Sequence, residues 1–178
     1  MLAALPFLAF AQAEELPAPK QIFDAEQQVP PTDAQPAATE GREPHLVVLH
    51  AGAMQILDSD VKPIVGIDIR PGWRWKGFGP MLCVGGSQDA GVYGALGIFY
   101  DIRLGDRWYL TPSFGVGYFR DGDFTLGHDL EFRTNIELSR AFVCGHRLGV
   151  SFGHLSNGSI SDINPGTESL CLTYAVPF

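Results

Sequence analysis

No run of about 18 apolar residues occurs outside the N-terminus, which excludes a helical membrane span there. Charge is also scarce, at 18% of 178 residues, and the 12 Lys and Arg form no basic stripe. Nucleic acid is therefore a poor partner. Cysteine is limited to Cys83, Cys144 and Cys171, at no metal-binding spacing. Their odd number leaves at least one unpaired; small buried hydrophobes are the simplest reading, and one disulfide stays open. His45, His50, His128 and His146 are dispersed, so neither a metal nor a cofactor is expected. No Gly-x-Ser-x-Gly stretch stands at a strand-to-helix turn, so there is no nucleophile elbow. The one Gly-rich stretch, Gly91 to Gly97, lies in a strand pattern and opens no helix, unlike a dinucleotide loop.

What is present is 46% hydrophobic residues, 21 Gly and 12 Phe, with a mean hydropathy near zero. A β-barrel in lipid hides its hydrophobicity by alternation and gives this kind of average. The formal charge of -8 is uneven, because Glu14 to Glu43 holds seven acidic and two basic residues. Residues 1–13 read as a signal peptide: Leu2 to Phe10 is apolar, and Ala11-Gln12-Ala13 is a small-x-small cleavage site. The usual Lys or Arg before the apolar run is missing, so the chain is expected to start inside the signal. Residues 14–44, rich in Pro, Ala, Gln and Glu, bury too little to offset ordering entropy and read as a disordered periplasmic segment.

From His45 onward the dominant period is two, which predicts strands near 45–57, 62–70, 74–86, 91–104, 107–119, 126–140, 146–156 and 167–178. Breakers such as Pro71-Gly72, Gly105-Asp106 and Asn164-Pro165-Gly166 separate them. The sixth strand is the clearest. Leu126, His128, Leu130, Phe132, Thr134, Ile136 and Leu138 share one face; Asp129, Glu131, Arg133, Asn135, Glu137 and Ser139 share the other. The second face is too charged for a packed sandwich core but fits a polar barrel interior in which charges pair. Trp73 and Trp75 suit an interfacial girdle, and a terminal Phe178 on an alternating strand resembles the C-terminal signature of outer-membrane proteins. The expected fold over 45–178 is an eight-stranded antiparallel transmembrane β-barrel of the bacterial outer membrane. Eight strands put both chain ends on the periplasmic side and the turn between the last two strands at the cell surface.

In the seventh strand Val150, Phe152, His154 and Ser156 share a face; in the eighth, Glu168 lies on the face of Leu170, Leu172 and Tyr174. All three polar residues thus face lipid, where ionisable groups are functional candidates by default. A serine hydroxyl is a weak nucleophile until a base takes its proton. His154 is two residues from Ser156 and suits that task, and Glu168 suits fixing the imidazole tautomer. Asn157, Asn164 or the backbone N–H groups of Gly158 and Ser159 could stabilise an oxyanion.

At these residues, His154-x-Ser156-Asn157 followed by Asn164-Pro165-Gly166 and Glu168, the sequence resembles the lipid A 3-O-deacylases, the PagL-type acyloxyacyl hydrolases. The motif covers roughly the last 25 residues; the barrel pattern and terminal aromatic extend the likeness to residue 45. The resemblance implies an eight-stranded outer-membrane barrel with Ser156 as nucleophile, His154 as general base, Glu168 as orienting acid, and Asn157 and Asn164 in support. It implies hydrolysis of the acyl ester at the 3-position of lipid A, with lipopolysaccharide of the outer leaflet as partner and no cofactor or metal. A homodimer is compatible with it. Gly158-Ser159 departs from the small Ala-Gly-like pair usual in the family, which puts the oxyanion amide in doubt. Two rivals remain: a non-catalytic eight-stranded barrel acting as adhesin or structural anchor, which would have long surface loops, and a soluble lipocalin-like barrel with the faces reversed.

Overall fold

The computed structural model describes residues 43–178 apart from 88 and 90. The signal-peptide expectation for 1–13, and all of the spacer expectation except Glu43 and Pro44, fall outside the described residues. The strands are β1 (Leu46–Met54), β2 (Lys62–Arg70), β3 (Phe78–Ser87), β4 (Gly91–Tyr100), β5 (Ile102–Arg103), β6 (Trp108–Arg120), β7 (Leu130–Ala141), β8 (Arg147–Ser156) and β9 (Thr167–Pro177). β5 is a two-residue continuation of β4 along the same neighbour, with Ile102 opposite Leu110. Eight staves therefore run round the wall, each antiparallel to the next. β9 returns to β1 and β4 meets β6, which closes the ring. Closure leaves no unpaired sheet edge, the condition for strands to cross lipid.

The faces are sorted as the alternation predicts. In β7, Glu131, Arg133, Asn135, Glu137 and Ser139 are buried inside, while Leu130, Ile136 and Leu138 are exposed outside. Leu96 and Leu172 keep 70% and 63% of their surface exposed on the outer wall. A soluble barrel would reverse this arrangement. An apolar exterior of this extent is a lipid-facing surface. At the end where β1 starts and β9 finishes, the terminal end, Trp73, Trp75, Trp108 and Phe178 are exposed, and the Lys76 ammonium lies 5.2 Å from the Trp75 ring. Those rings stand where the membrane boundary falls.

Charges fill the interior. The Arg70 Nη2 on β2 donates to Asp68 Oδ2 and to Glu137 Oε2, each at 3.0 Å, and His50 Nε2 lies 3.1 Å from Asp68 Oδ2. β2 and β7 are four staves apart in a ring of eight, so the Arg70–Glu137 contact spans the lumen. Nearer the terminal end, Asp101 accepts from Arg147 at 3.0 Å and from Thr111 at 2.7 Å. The other end is closed by Phe119, Leu126 and Leu155, with Tyr93 and Phe124 against them. Cys83 and Cys171 are buried and Cys144 is exposed; all three are free thiols.

Two strand starts differ by four residues from the sequence reading. β3 starts at Phe78 rather than residue 74, because Lys76 and Gly77 take φ of 50° and 88° and make a tight turn closed by Trp75 and Phe78. β7 starts at Leu130 rather than 126. Gly127, at φ 85°, turns the chain, so Leu126 leaves the lipid face and is fully buried under the rim. His128 leaves that face too, and its Nδ1 accepts the Leu130 N–H at 2.8 Å.

Leu46 pairs with Pro177, which puts the start of β1 and the end of β9 at one end of the barrel, the terminal end. The β8–β9 turn, residues 157–166, is at the other, beside the 121–129 connection. Connections at the terminal end, such as 104–107 and 142–146, are shorter.

Candidate active site

β8 and β9 form a hairpin whose register sets His154 directly opposite Glu168. Leu155 and Thr167 point inward and are buried, so their neighbours His154, Ser156 and Glu168 emerge on the outer wall above Phe152 and Leu170. The structure thus brings the imidazole and the carboxylate together. His154 Nδ1 lies 3.1 Å from Glu168 Oε1. Their side chains are 41% and 23% exposed, which leaves the ring accessible from the lipid side. A carboxylate only accepts, so the contact suits the tautomer with the proton on Nδ1. In that neutral tautomer Nε2 keeps its lone pair, the state a general base needs. Ser156, half-buried on the same face, stands opposite Phe132 of β7. Among the described residues no hydrogen bond joins its hydroxyl to His154; such contacts often close only when substrate is bound.

The turn that follows is fastened from inside. Asn157 is wholly buried. Its Nδ2 donates to the carbonyls of Leu126, at 2.9 Å, and Ile163, at 2.8 Å. Its Oδ1 accepts the Ser159 N–H at 3.0 Å, and its own N–H donates to Asn164 Oδ1 at 3.1 Å. Both side-chain hydrogens of Asn157 are therefore committed, and its geometry suits holding the turn rather than donating to an oxyanion. The Ser159 amide is committed likewise. Among the described residues Asn164 Nδ2 is held only by a 3.5 Å contact to Ser159 Oγ. The Gly158 N–H has no acceptor among the described residues. Gly158 and Ser159 both have positive φ, 62° and 66°. Replacing Asn157 by Ala would orphan the buried carbonyl of Leu126 and the partly buried one of Ile163. The expected cost is about 1–3 kcal/mol for each buried polar group left unpaired, read as a lower unfolding midpoint of the detergent-solubilised protein.

Three features of the site were missed in the sequence. Leu126 and Ile163 serve through their carbonyls, which carry no side-chain signal. Thr167 Oγ1 accepts the Gln55 N–H at 3.2 Å and ties the hairpin to the β1 rim. Gly166 lies against the imidazole; the only hint was a Gly in a turn. Among the described residues no three His, Cys, Asp or Glu side chains are grouped to hold a metal ion.

The family model described as lipid A 3-O-deacylase (PagL) matches residues 66–177. Two curated relatives, both named lipid A deacylase PagL, are similar in sequence. The one from Bordetella bronchiseptica is 30% identical over 77 residues, 42% of this chain and 43% of the relative. The one from Pseudomonas aeruginosa is 32% identical over 100 residues, 52% of this chain and 58% of the relative. The matched stretch spans about half the length of these relatives. Among solved structures, the outer membrane enzyme PagL superposes with a TM-score of 0.54 at 24% identity, covering 75% of this chain and 99% of that one. Neisserial surface protein A superposes with a TM-score of 0.56 at 14% identity, covering 78% and 100%. These two likenesses establish a shared barrel fold. The family match is more telling, because it takes in most of the barrel together with every site residue from His154 to Glu168, and on that match the chain belongs to the lipid A 3-O-deacylase (PagL) family.

Proposed function

We propose that this protein is an outer-membrane serine esterase that hydrolyses the ester-linked 3-O acyl chain of lipid A, with Ser156 as nucleophile, His154 as general base and Glu168 as orienting acid. The observation that carries this reading is the His154–Glu168 contact of 3.1 Å on a wall built mostly of Leu, Ile, Val and Phe. Ionisable groups facing lipid are costly and persist where they serve a task. A carboxylate–imidazole pair beside a serine, on a lipid-facing surface, suits an ester delivered sideways from the membrane. Family membership supplies the substrate class: both relatives are named lipid A deacylase.

The chemistry follows from the atoms. Ser156 Oγ bonds to the ester carbonyl carbon while His154 Nε2 takes its proton. The Glu168 carboxylate, accepting from Nδ1–H, stabilises the imidazolium. The carbonyl oxygen becomes an oxyanion, for which the Gly158 N–H and the weakly held Asn164 amide are the available donors at the rim. The bond between the acyl carbon and the sugar oxygen then breaks, and that oxygen takes the proton from Nε2. Water repeats the sequence on the acyl-serine: His154 takes its proton, the acyl–Oγ bond breaks and Ser156 is restored. The products are a fatty acid and a lipid A with a free 3-hydroxyl.

The test is expression in a Gram-negative host, with lipid A mass spectra compared between the wild-type protein and Ser156→Ala. Loss of one acyl chain only with the wild type supports the proposal. Unaltered lipid A with folded wild-type protein would leave a non-catalytic barrel, an adhesin or anchor. A graded expectation goes with it. His154→Ala lowers turnover by about 10⁶-fold and Glu168→Ala by about 10⁴-fold, since the orienting group contributes less than the base it holds. Equal losses, or a larger loss at Glu168, would contradict the roles.

A further inference from the structure

We infer that Gly166 is a positioning residue for the His154 imidazole, and that its missing side chain is what lets the ring stand where Nε2 can serve Ser156. This rests on the Ser156–His154–Glu168 chemistry proposed above. A Cβ placed on Gly166 would lie 2.9 Å from His154 Cε1 and 3.5 Å from Nε2, with the Leu155 carbonyl oxygen next at 3.6 Å. The nearest atoms therefore belong to the Cε1–Nε2 edge of the ring, which carries the reacting nitrogen. Glu168 fixes the imidazole at Nδ1, and Gly166 bounds the adjoining Cε1–Nε2 edge. The ring is set by a polar contact at Nδ1 and a steric stop at the edge beside it.

The backbone at Gly166 is held from both directions. Asn164, two residues before it, accepts the Asn157 N–H. Pro165, just before it, has φ locked by its own ring. Thr167, just after it, is buried and accepts the Gln55 N–H. A methyl at 166 thus meets a tethered chain on one side and the far end of a rotatable side chain on the other. The imidazole is the part that yields. A displacement of about 1 Å at a reacting group costs on the order of 10²-fold in rate, whereas the barrel wall is untouched. The cost of added bulk here falls on turnover rather than on folding.

Gly166 also has φ of 66°, which disfavours an L-residue whatever its neighbours. Gly105 provides the control: its φ is 84°, nothing lies within 4 Å of an added Cβ, and it sits in a turn at the opposite end of the barrel. The experiment compares Gly166→Ala, Gly166→Asn and Gly105→Ala as purified, detergent-folded barrels. Readouts are kcat and KM on lipid A micelles, the rate of Ser156 labelling by a fluorophosphonate, and folding by heat-modifiable gel mobility. Asn tolerates left-handed backbone better than Ala while carrying the same Cβ.

Both Gly166 variants are expected to fold, to lose about 100-fold in kcat and in labelling rate, and to keep KM within about threefold. Gly105→Ala is expected to match the wild type. In a Glu168→Gln background, where the ring is already loosened, Gly166→Ala should cost much less than it does alone. Gly166 variants with turnover equal to Gly105→Ala would overturn the inference, as would equal losses with and without Glu168. So would failure of both Gly166 variants to fold, because the ring would then not be what gives way. An active Ser156→Ala protein would instead remove the underlying chemistry, a distinguishable result.

Discussion

Ser156→Ala is expected to lower lipid A deacylation by about 10⁶-fold while leaving the barrel intact. The size of the effect follows from what the hydroxyl does in the proposed reaction. Without Oγ no acyl-serine forms, and the remaining donors at the rim only assist direct attack by water. The structural cost is small. Ser156 is half-buried and its hydroxyl makes no hydrogen bond among the described residues, so its removal strands no buried partner. Such a change stays within about 0.5 kcal/mol in stability. The measurement is release of fatty acid from purified lipid A in detergent, alongside lipid A mass spectra from expressing cells. Residual turnover above a hundredth of the wild-type rate would remove Ser156 as nucleophile, even if the family activity were present.

The largest stability effect is expected at Arg70. Its guanidinium bridges Asp68 and Glu137 across the lumen, and all three side chains are 1% exposed. Arg70→Met leaves two buried carboxylates without their shared cation. Breaking a buried ion pair from one side costs about 3–5 kcal/mol, because the remaining charge stays desolvated and uncompensated. The expected result is a lower urea midpoint for the folded barrel in micelles. Neutralising the partners as well, as Arg70→Met with Asp68→Asn and Glu137→Gln, should recover much of the loss. A midpoint unchanged in the single variant, or lowest in the triple, would show that Arg70 is not what balances the two acids. The site lies on the far side of the wall, so kcat measured on folded protein should move little in either variant.

Most of the architecture could be read from alternation. In β7 the contrast between Glu131, Arg133, Asn135 and Glu137 on one side and Phe132, Ile136 and Leu138 on the other needs no tertiary information, since strand parity alone assigns the faces. The same parity put His154, Ser156 and Glu168 on one side of a hairpin. What parity could not give is register. The turn from 157 to 166 is long enough to admit several pairings, and only the closed sheet sets His154 against Glu168 rather than against Leu170. Leu126 shows a second limit. It fits the two-residue period of β7, but the left-handed backbone of Gly127 turns it into the rim cluster. Partner choice in the lumen was also hidden. The charges of β7 were expected to pair with each other, whereas Glu137 finds its cation on β2, across the barrel. Asn157 illustrates the last kind of gap: a polar residue in a turn looks solvent-facing, and its burial follows from carbonyls that chain folding brings to it.

The outward placement of the His154–Glu168 pair has a kinetic corollary. In the proposed reaction, encounter takes place by lateral diffusion within a leaflet, so crowding of neighbouring lipids, not bulk molarity, sets how often the Ser156 hydroxyl meets an ester. Dilution with inert amphiphile should slow catalysis at constant total lipid, and a blocked barrel bore should leave it unaltered.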